Sequence, residues 1–185
     1  MSQSAKVAGL GDPFAQFNVY IGNRPNFSEY PSLDFVNPLT AGEINAISQS
    51  CGNGWRKVFN VYAKLVFGLN VDNIVSLQGT DSWQSYRDNA LLQISSNTSL
   101  LFSTPQLTQV EGIGSHVVHI IMGKNYAKSL ELPFTLKWLD HEFAINLEHK
   151  LLVCPYFDYR QLSNIKIIRL VELIKQLTEE KIISL

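Results

Sequence analysis

The sequence predicts an α/β fold built on a doubly wound, mostly parallel sheet. Three observations carry that expectation. Residues 116–122 (His-Val-Val-His-Ile-Ile-Met) and 150–154 (Lys-Leu-Leu-Val-Cys) are short, nearly continuous apolar runs. Such runs mark strands covered on both faces. Stretches of helical periodicity alternate with them, which is the order that winds a parallel sheet. Finally, Gly123 and Pro155 directly follow these runs, and Gly22 directly follows the β-branched and aromatic stretch 17–21, so each strand ends in a polar turn. The 185 residues suit a single domain over 1–185 with a sizeable core.

The elements follow in order. Residues 1–12 are small and polar and are expected to fray. Residues 17–21 (Phe-Asn-Val-Tyr-Ile) are β-branched and aromatic, hence a strand. Pro25, Pro31 and Pro38 keep the chain irregular up to Leu39. Thr40 and Glu43 have capping-box spacing, and a helix to about Ser50 follows, broken at residues 51–54. Trp55, Val58, Phe59, Tyr62, Leu65 and Val66 share one helical face, read as core, and Gly68 stops that helix. Residues 69–81 carry no clear period. Residues 82–94 read as another helix and residues 100–103 as a buried strand or a turn. The strand at 116–122 leads into a tight turn and short helix at 123–130, and a further helix is expected over 136–146. After the strand at 150–154, Ser163 can cap a last helix with Ile165, Ile168, Val171, Leu173, Ile174 and Leu177 as its apolar face.

Composition narrows the function. Hydrophobic residues make up 45% and charged residues 17%, against about 25% charged in an average globular domain. This balance excludes disorder. The formal net charge is −1, from 15 basic and 16 acidic residues, so no global basic excess signals extensive phosphate binding. No run approaches the ~18 apolar residues of a membrane span, and nothing at the start has signal-peptide order. A cytoplasmic location and free thiols at Cys51 and Cys154 are expected. Cys154 ends an apolar strand and reads as buried and inert.

No metal and no cofactor are expected. His116 and His119 lie three apart in a strand and face opposite sides, and His141 and His149 have no partner at ligand spacing. Neither a serine-nucleophile elbow nor a phosphate-binding glycine loop is present. What remains is the set of three strand ends at 22–26, 123–125 and 155–160, because open parallel sheets bind ligands outside the carboxyl ends of their strands. The stretch Tyr156-Phe157-Asp158-Tyr159-Arg160-Gln161 places three rings around one carboxylate and one guanidinium. Rings stack on a base, and Asp or Arg hydrogen-bonds its edge. The structural alternative is that Asp158 and Arg160 pair with neighbours and fix the loop.

Three segments resemble the uracil-DNA glycosylase superfamily. Val19-Tyr20-Ile21-Gly22-Asn23-Arg24-Pro25 is similar to its first motif, with Gly and Pro after a buried strand. His119-Ile120-Ile121-Met122-Gly123-Lys124-Asn125-Tyr126-Ala127 is similar to a later strand, Gly-Lys and helix. Leu152-Val153-Cys154-Pro155, followed by Tyr156-Phe157-Asp158 and then Leu162-Ser163-Asn164, is similar to the last motif. The resemblance implies a three-layer α/β/α sandwich with a mostly parallel central sheet. It implies a ligand site that gathers Asn23, Asn26, Phe27, Lys124, Tyr156, Asp158 and Arg160. Asn23 and Asn26 are the candidates for the family's water-positioning residue. Tyr156 stands where the family carries a histidine that stabilises the departing base, so binding is expected more than excision. The implied partner is a nucleobase, a nucleotide or single-stranded nucleic acid. The chain also resembles uncharacterised bacterial families with no assigned activity. Two further readings stay open: a non-enzymatic interaction or regulatory domain that could be oligomeric, and a hydrolase using Asp158 with Tyr or Arg partners.

Overall fold

The computed structural model describes residues 6–69, 77, 79–107 and 117–179. Among them the elements run β1 (Gly9–Gly11), β2 (Phe17–Tyr20), β3 (Val36–Asn37), α1 (Glu43–Cys51), α2 (Asn53–Leu69), α3 (Trp83–Asn89), β4 (Thr98–Leu101), β5 (Val118–Met122), α4 (Lys124–Ser129), β6 (Lys137–Trp138), β7 (Ala144–Asn146), β8 (Leu151–Cys154) and α5 (Asn164–Thr178). The strands form one sheet in the order β3-β1-β4-β2-β5-β8-β7-β6. Its centre, β4-β2-β5-β8, is parallel throughout. The flanks turn antiparallel, β1 against β4 and β7 against β8. The protein is therefore α/β with a mostly parallel sheet.

Strand alternation sorts the side chains into two unequal layers. Phe17, Val19, Val118, Ile120, Met122, Leu152 and Cys154 face a large core shared with buried residues of α1, α2, α3 and α5. The other face carries Tyr20, Leu101, Ile121, Leu151 and Val153 and is covered by Ala127 of α4 together with coil and hairpin residues such as Phe134 and Trp138. The whole aromatic stripe of α2 expected from its period is buried. Tyr62 ties it to the sheet, donating from its hydroxyl to the Ser99 carbonyl at 2.8 Å.

Four expectations are corrected. Residues 8–12 do not fray: Gly9–Gly11 pair with β3 and β4, and Ala8 and Leu10 are buried. Small residues are needed there because two backbones approach closely. Residues 136–146 form no helix but a hairpin, with Lys137 opposite Ile145 and Trp138 opposite Ala144. The cause is local. Asp140 Oδ1 accepts from the backbone N–H groups of Glu142 and Phe143 at 2.7 and 2.8 Å, which closes a turn at the expense of a helix. The helix at 82–94 stops at Asn89, and the left-handed backbone of Leu92, Ser95 and Asn97 carries the chain into β4. Finally, α5 buries Ile167, Leu170, Val171, Leu173, Ile174 and Leu177, while Ile165 and Ile168 are exposed at 80% and 59%. Val171, Leu173, Ile174 and Leu177 are buried as expected, and only the first turns differ, because the 3.6 period runs back from 177 through 174, 170 and 167.

Smaller differences concern ends. At α1, Gly42 occupies the cap position, and Glu43 accepts from the Thr40 N–H and hydroxyl, which is half of the expected box. Ser163 occupies the cap position of α5 without a side-chain cap bond. β5 begins at Val118, and His116 lies outside the described residues, as do residues 70–76 of the stretch without clear period.

The Asp140 turn yields a pH prediction. Burial alone would raise this carboxyl, but the two backbone N–H groups and Arg169 lower it to about 2. A depressed folded pKa contributes stability that is complete above about pH 4 and lost as pH falls towards about 2. After allowance for solvent screening the contribution is about 1 kcal/mol. Urea titrations across that range are expected to show this loss in the wild type and a flatter profile in Asp140→Asn. Identical profiles would show that the turn carries no charge-dependent stability.

Candidate functional site

The parallel strands appear along the chain in the order β2, β4, β5, β8 but lie in the sheet as β4-β2-β5-β8. The chain leaves β2 to one side, then returns to the other side with β5. The seam between β2 and β5 is thus the topological switch point, where loops diverge and leave a crevice at the carboxyl ends. A cleft of about 770 Å³ opens there. Gly22 and Asn23 reach it from β2, Met122, Gly123 and Lys124 from β5, and Pro155 and Tyr156 from β8. Asn125, Tyr126 and Ser129 of α4, His141 and Glu142 of the hairpin turn, and Gln161 complete the wall.

Local backbone needs explain two glycines. Gly123 has φ +101° as it turns from β5 into α4, and its N–H donates to the Cys154 carbonyl at 2.8 Å, which joins the ends of β5 and β8. A side chain at that φ would be strained. Gly22 lies under the Tyr126 ring, where a Cβ would come within 2.9 Å of it.

Hydrogen-bonding groups and rings line the wall. The Tyr156 hydroxyl donates to Asn23 Oδ1 at 3.2 Å, bridging the ends of β8 and β2. Burial raises the phenols of Tyr156 and Tyr126 above their ordinary values, so both remain neutral donors. Glu142 is engaged by Lys166 at 2.7 Å, and His141 Nε2 stands 3.8 Å from its carboxylate. Lys124 lies over the Trp138 indole at 5.8 Å.

Of the seven residues expected to share one site, Asn23, Lys124 and Tyr156 line the cleft. Asn26, Phe27, Asp158 and Arg160 do not. Asn26 is exposed, and Phe27 leans on the core with its ring 5.8 Å from that of Tyr30. Asp158 is buried beside the cleft and fully engaged. It accepts from Arg160 through Nη2 at 2.8 Å and from Lys57 Nζ at 3.1 Å. The Arg160 guanidinium, against the opposing effect of burial, holds its carboxyl well below the ordinary carboxylate range. An acid held by two cations is a poor general base, so the geometry gives the hydrolase reading no support. Tyr126, His141, Glu142 and Gln161 were not among the expected residues. Tyr126 is legible as the third residue after Gly123, whereas the helical pattern of 136–146 hides the turn that carries His141 and Glu142.

Both cysteines are free, and burial pushes the Cys154 thiol far up, so it is inert. Among the described residues no three His, Cys, Asp or Glu side chains gather to hold a metal ion, and no helix is long and apolar enough to cross a membrane.

Fold and cleft together define an α/β protein with a ligand-sized crevice at the switch point of its parallel strands. Residues 8–175 match DUF6942, a family of unknown function, and the chain belongs to that family. No curated protein and no solved structure matches the chain.

Proposed function

We propose that the protein binds a nucleobase or nucleotide in the cleft at the ends of β2, β5 and β8, without efficient base excision. The observation that carries this reading is the cleft itself, at the switch point and bounded by two neutral phenols, an amide and an ammonium. Its volume of about 770 Å³ falls among clefts that take small ligands. Flat rings with hydrogen-bonding edges suit planar bases. The similarity of the three strand ends to uracil-DNA glycosylase motifs supports the same choice of ligand and the glycosylase-like sandwich. Excision would need charge stabilisation on the departing base, and the Tyr156 phenol supplies a hydrogen bond but no positive charge. The side chain of Asn23, the candidate for positioning water, is engaged by Tyr156.

The test is calorimetric titration with bases, nucleosides, nucleotides and short single strands, in wild type and in Tyr156→Phe. The variant keeps the ring and loses the hydroxyl that holds Asn23, so affinity is expected to fall about tenfold. Absence of binding by every probe would overturn the reading.

A second reading, a non-enzymatic interaction domain, is favoured by Ile165 and Ile168, exposed one turn apart on α5. Exposed apolar side chains grouped in this way suit a docking surface. Light scattering separates the two readings: self-association without ligand binding would favour the second.

A further inference from the structure

Resting on the proposed reading of the cleft, we infer that its ligand is phosphorylated, and that Lys124 is the residue that selects the phosphate. The charges around the cleft are unbalanced. Lys124 and Lys128 both lie over the one indole of Trp138, at 5.8 and 5.5 Å from its centre. Among the described residues no carboxylate lies within ion-pair distance of either lysine. The carboxylate of the cleft wall, Glu142, is already held by Lys166. Among the described residues, two ammonium groups therefore share a small region without a paired carboxylate. Each raises the potential felt by the other, and an anion placed between the cleft and Trp138 relieves both.

Lys124 is the one that reaches the cleft, half-buried at the end of β5, whereas Lys128 stands a helical turn further on α4. Lys124 makes the contact and Lys128 adds field. The cleft also has room well beyond a free base, so a sugar and a phosphate fit beside a base lying against Tyr126 and Tyr156. The phosphate could belong to a free mononucleotide or to a strand, and the chemistry at Lys124 is the same for both.

The experiment is calorimetric titration of the full chain with adenosine, guanosine, cytidine and uridine, with their 5′-monophosphates, with inorganic phosphate and with a short oligodeoxythymidylate. The protein is wild type, Lys124→Met, Lys124→Arg or Lys128→Met. At least one monophosphate is expected to bind about tenfold more tightly than its nucleoside, from one charge-assisted contact. Lys124→Met should bring that ratio to about one, Lys124→Arg should preserve it, and Lys128→Met should reduce it only about threefold. A short strand binding more tightly than every mononucleotide assigns the phosphate to a nucleic-acid backbone and supports the inference equally. Equal affinities for nucleoside and monophosphate in the wild type, or a ratio untouched by Lys124→Met, overturn it while the base-binding reading stands. No binding by any probe overturns both.

Discussion

Replacing Gly9 by alanine is expected to destabilise the protein by about 3 kcal/mol, the upper part of the usual range for overpacking. A Cβ at this position would lie 2.4 Å from the Leu100 carbonyl oxygen and 2.9 Å from the Leu101 Cα. Both are backbone atoms of β4, so no rotamer change can yield the space. Either the β1–β4 pairing opens or both strands shift. Opening it would also disturb β3, which pairs with β1, and would expose Leu10, buried completely in the main core. Urea unfolding of Gly9→Ala is the measurement, with Gly54→Ala as the control. Gly54 sits in the first turns of α2 with nothing within 4 Å of its Cβ position. Alanine there should be neutral or stabilising by a few tenths of a kcal/mol, from helix propensity. An unchanged unfolding midpoint in Gly9→Ala would mean that β1 is not seated in the sheet.

Replacing Asp158 by alanine should cost a similar amount, about 2–3 kcal/mol, slightly under the usual value for breaking a buried pair because Arg160 is largely in water. Lys57 is the partner that matters: its side chain is 15% exposed and would be left beside Arg160 without a counter-charge. Asp158 also organises the loop by its backbone and side chain. Its carbonyl accepts from the Gln161 and Leu162 N–H groups at 2.7 and 2.8 Å, and its Oδ1 accepts from the Arg160 N–H at 3.0 Å. Tyr156 and Gln161, which line the cleft, bracket this turn, so ligand affinity should weaken along with stability. Asp158→Asn should lie between the two, keeping an acceptor while losing the charge. Because Asp158 is held below the ordinary carboxylate range, its contribution is present above the unfolded value near about pH 4 and fades only as pH falls well below it. The difference between wild type and Asp158→Asn should therefore persist at about pH 4 and disappear in stronger acid. Alanine at position 158 with unchanged stability would show that the Lys57–Asp158–Arg160 cluster is not formed.

These two positions also mark where the sequence was and was not informative. Glycine near the start of the chain reads as a sign of fraying, yet at Gly9 it is required by the close approach of another strand. Nothing local distinguishes the two, since the second strand comes from Leu100 and Leu101, some ninety residues away. Asp158 and Arg160 are polar residues beside aromatic rings, which fits either a ligand contact or a loop fastening. Lys57, on a distant helix, decides between them.

The sequence by itself determined the α/β class, the central strands β2, β5 and β8, the α2 stripe, and the three strand ends from which Asn23, Lys124 and Tyr156 reach the cleft. Those features follow from side-chain period and from Gly and Pro at fixed places, which are local properties of the chain. Only the tertiary structure decided the order of the strands, the hairpin in place of a helix at 136–146, and the turn of α5 that leaves Ile165 and Ile168 in solvent. It likewise separated Asp158 and Arg160 from the cleft and added Tyr126, His141, Glu142 and Gln161 to its wall. The reason is physical. Burial, pairing and charge balance depend on groups far apart in the chain, and a residue's neighbours in sequence do not reveal which of those groups it will meet.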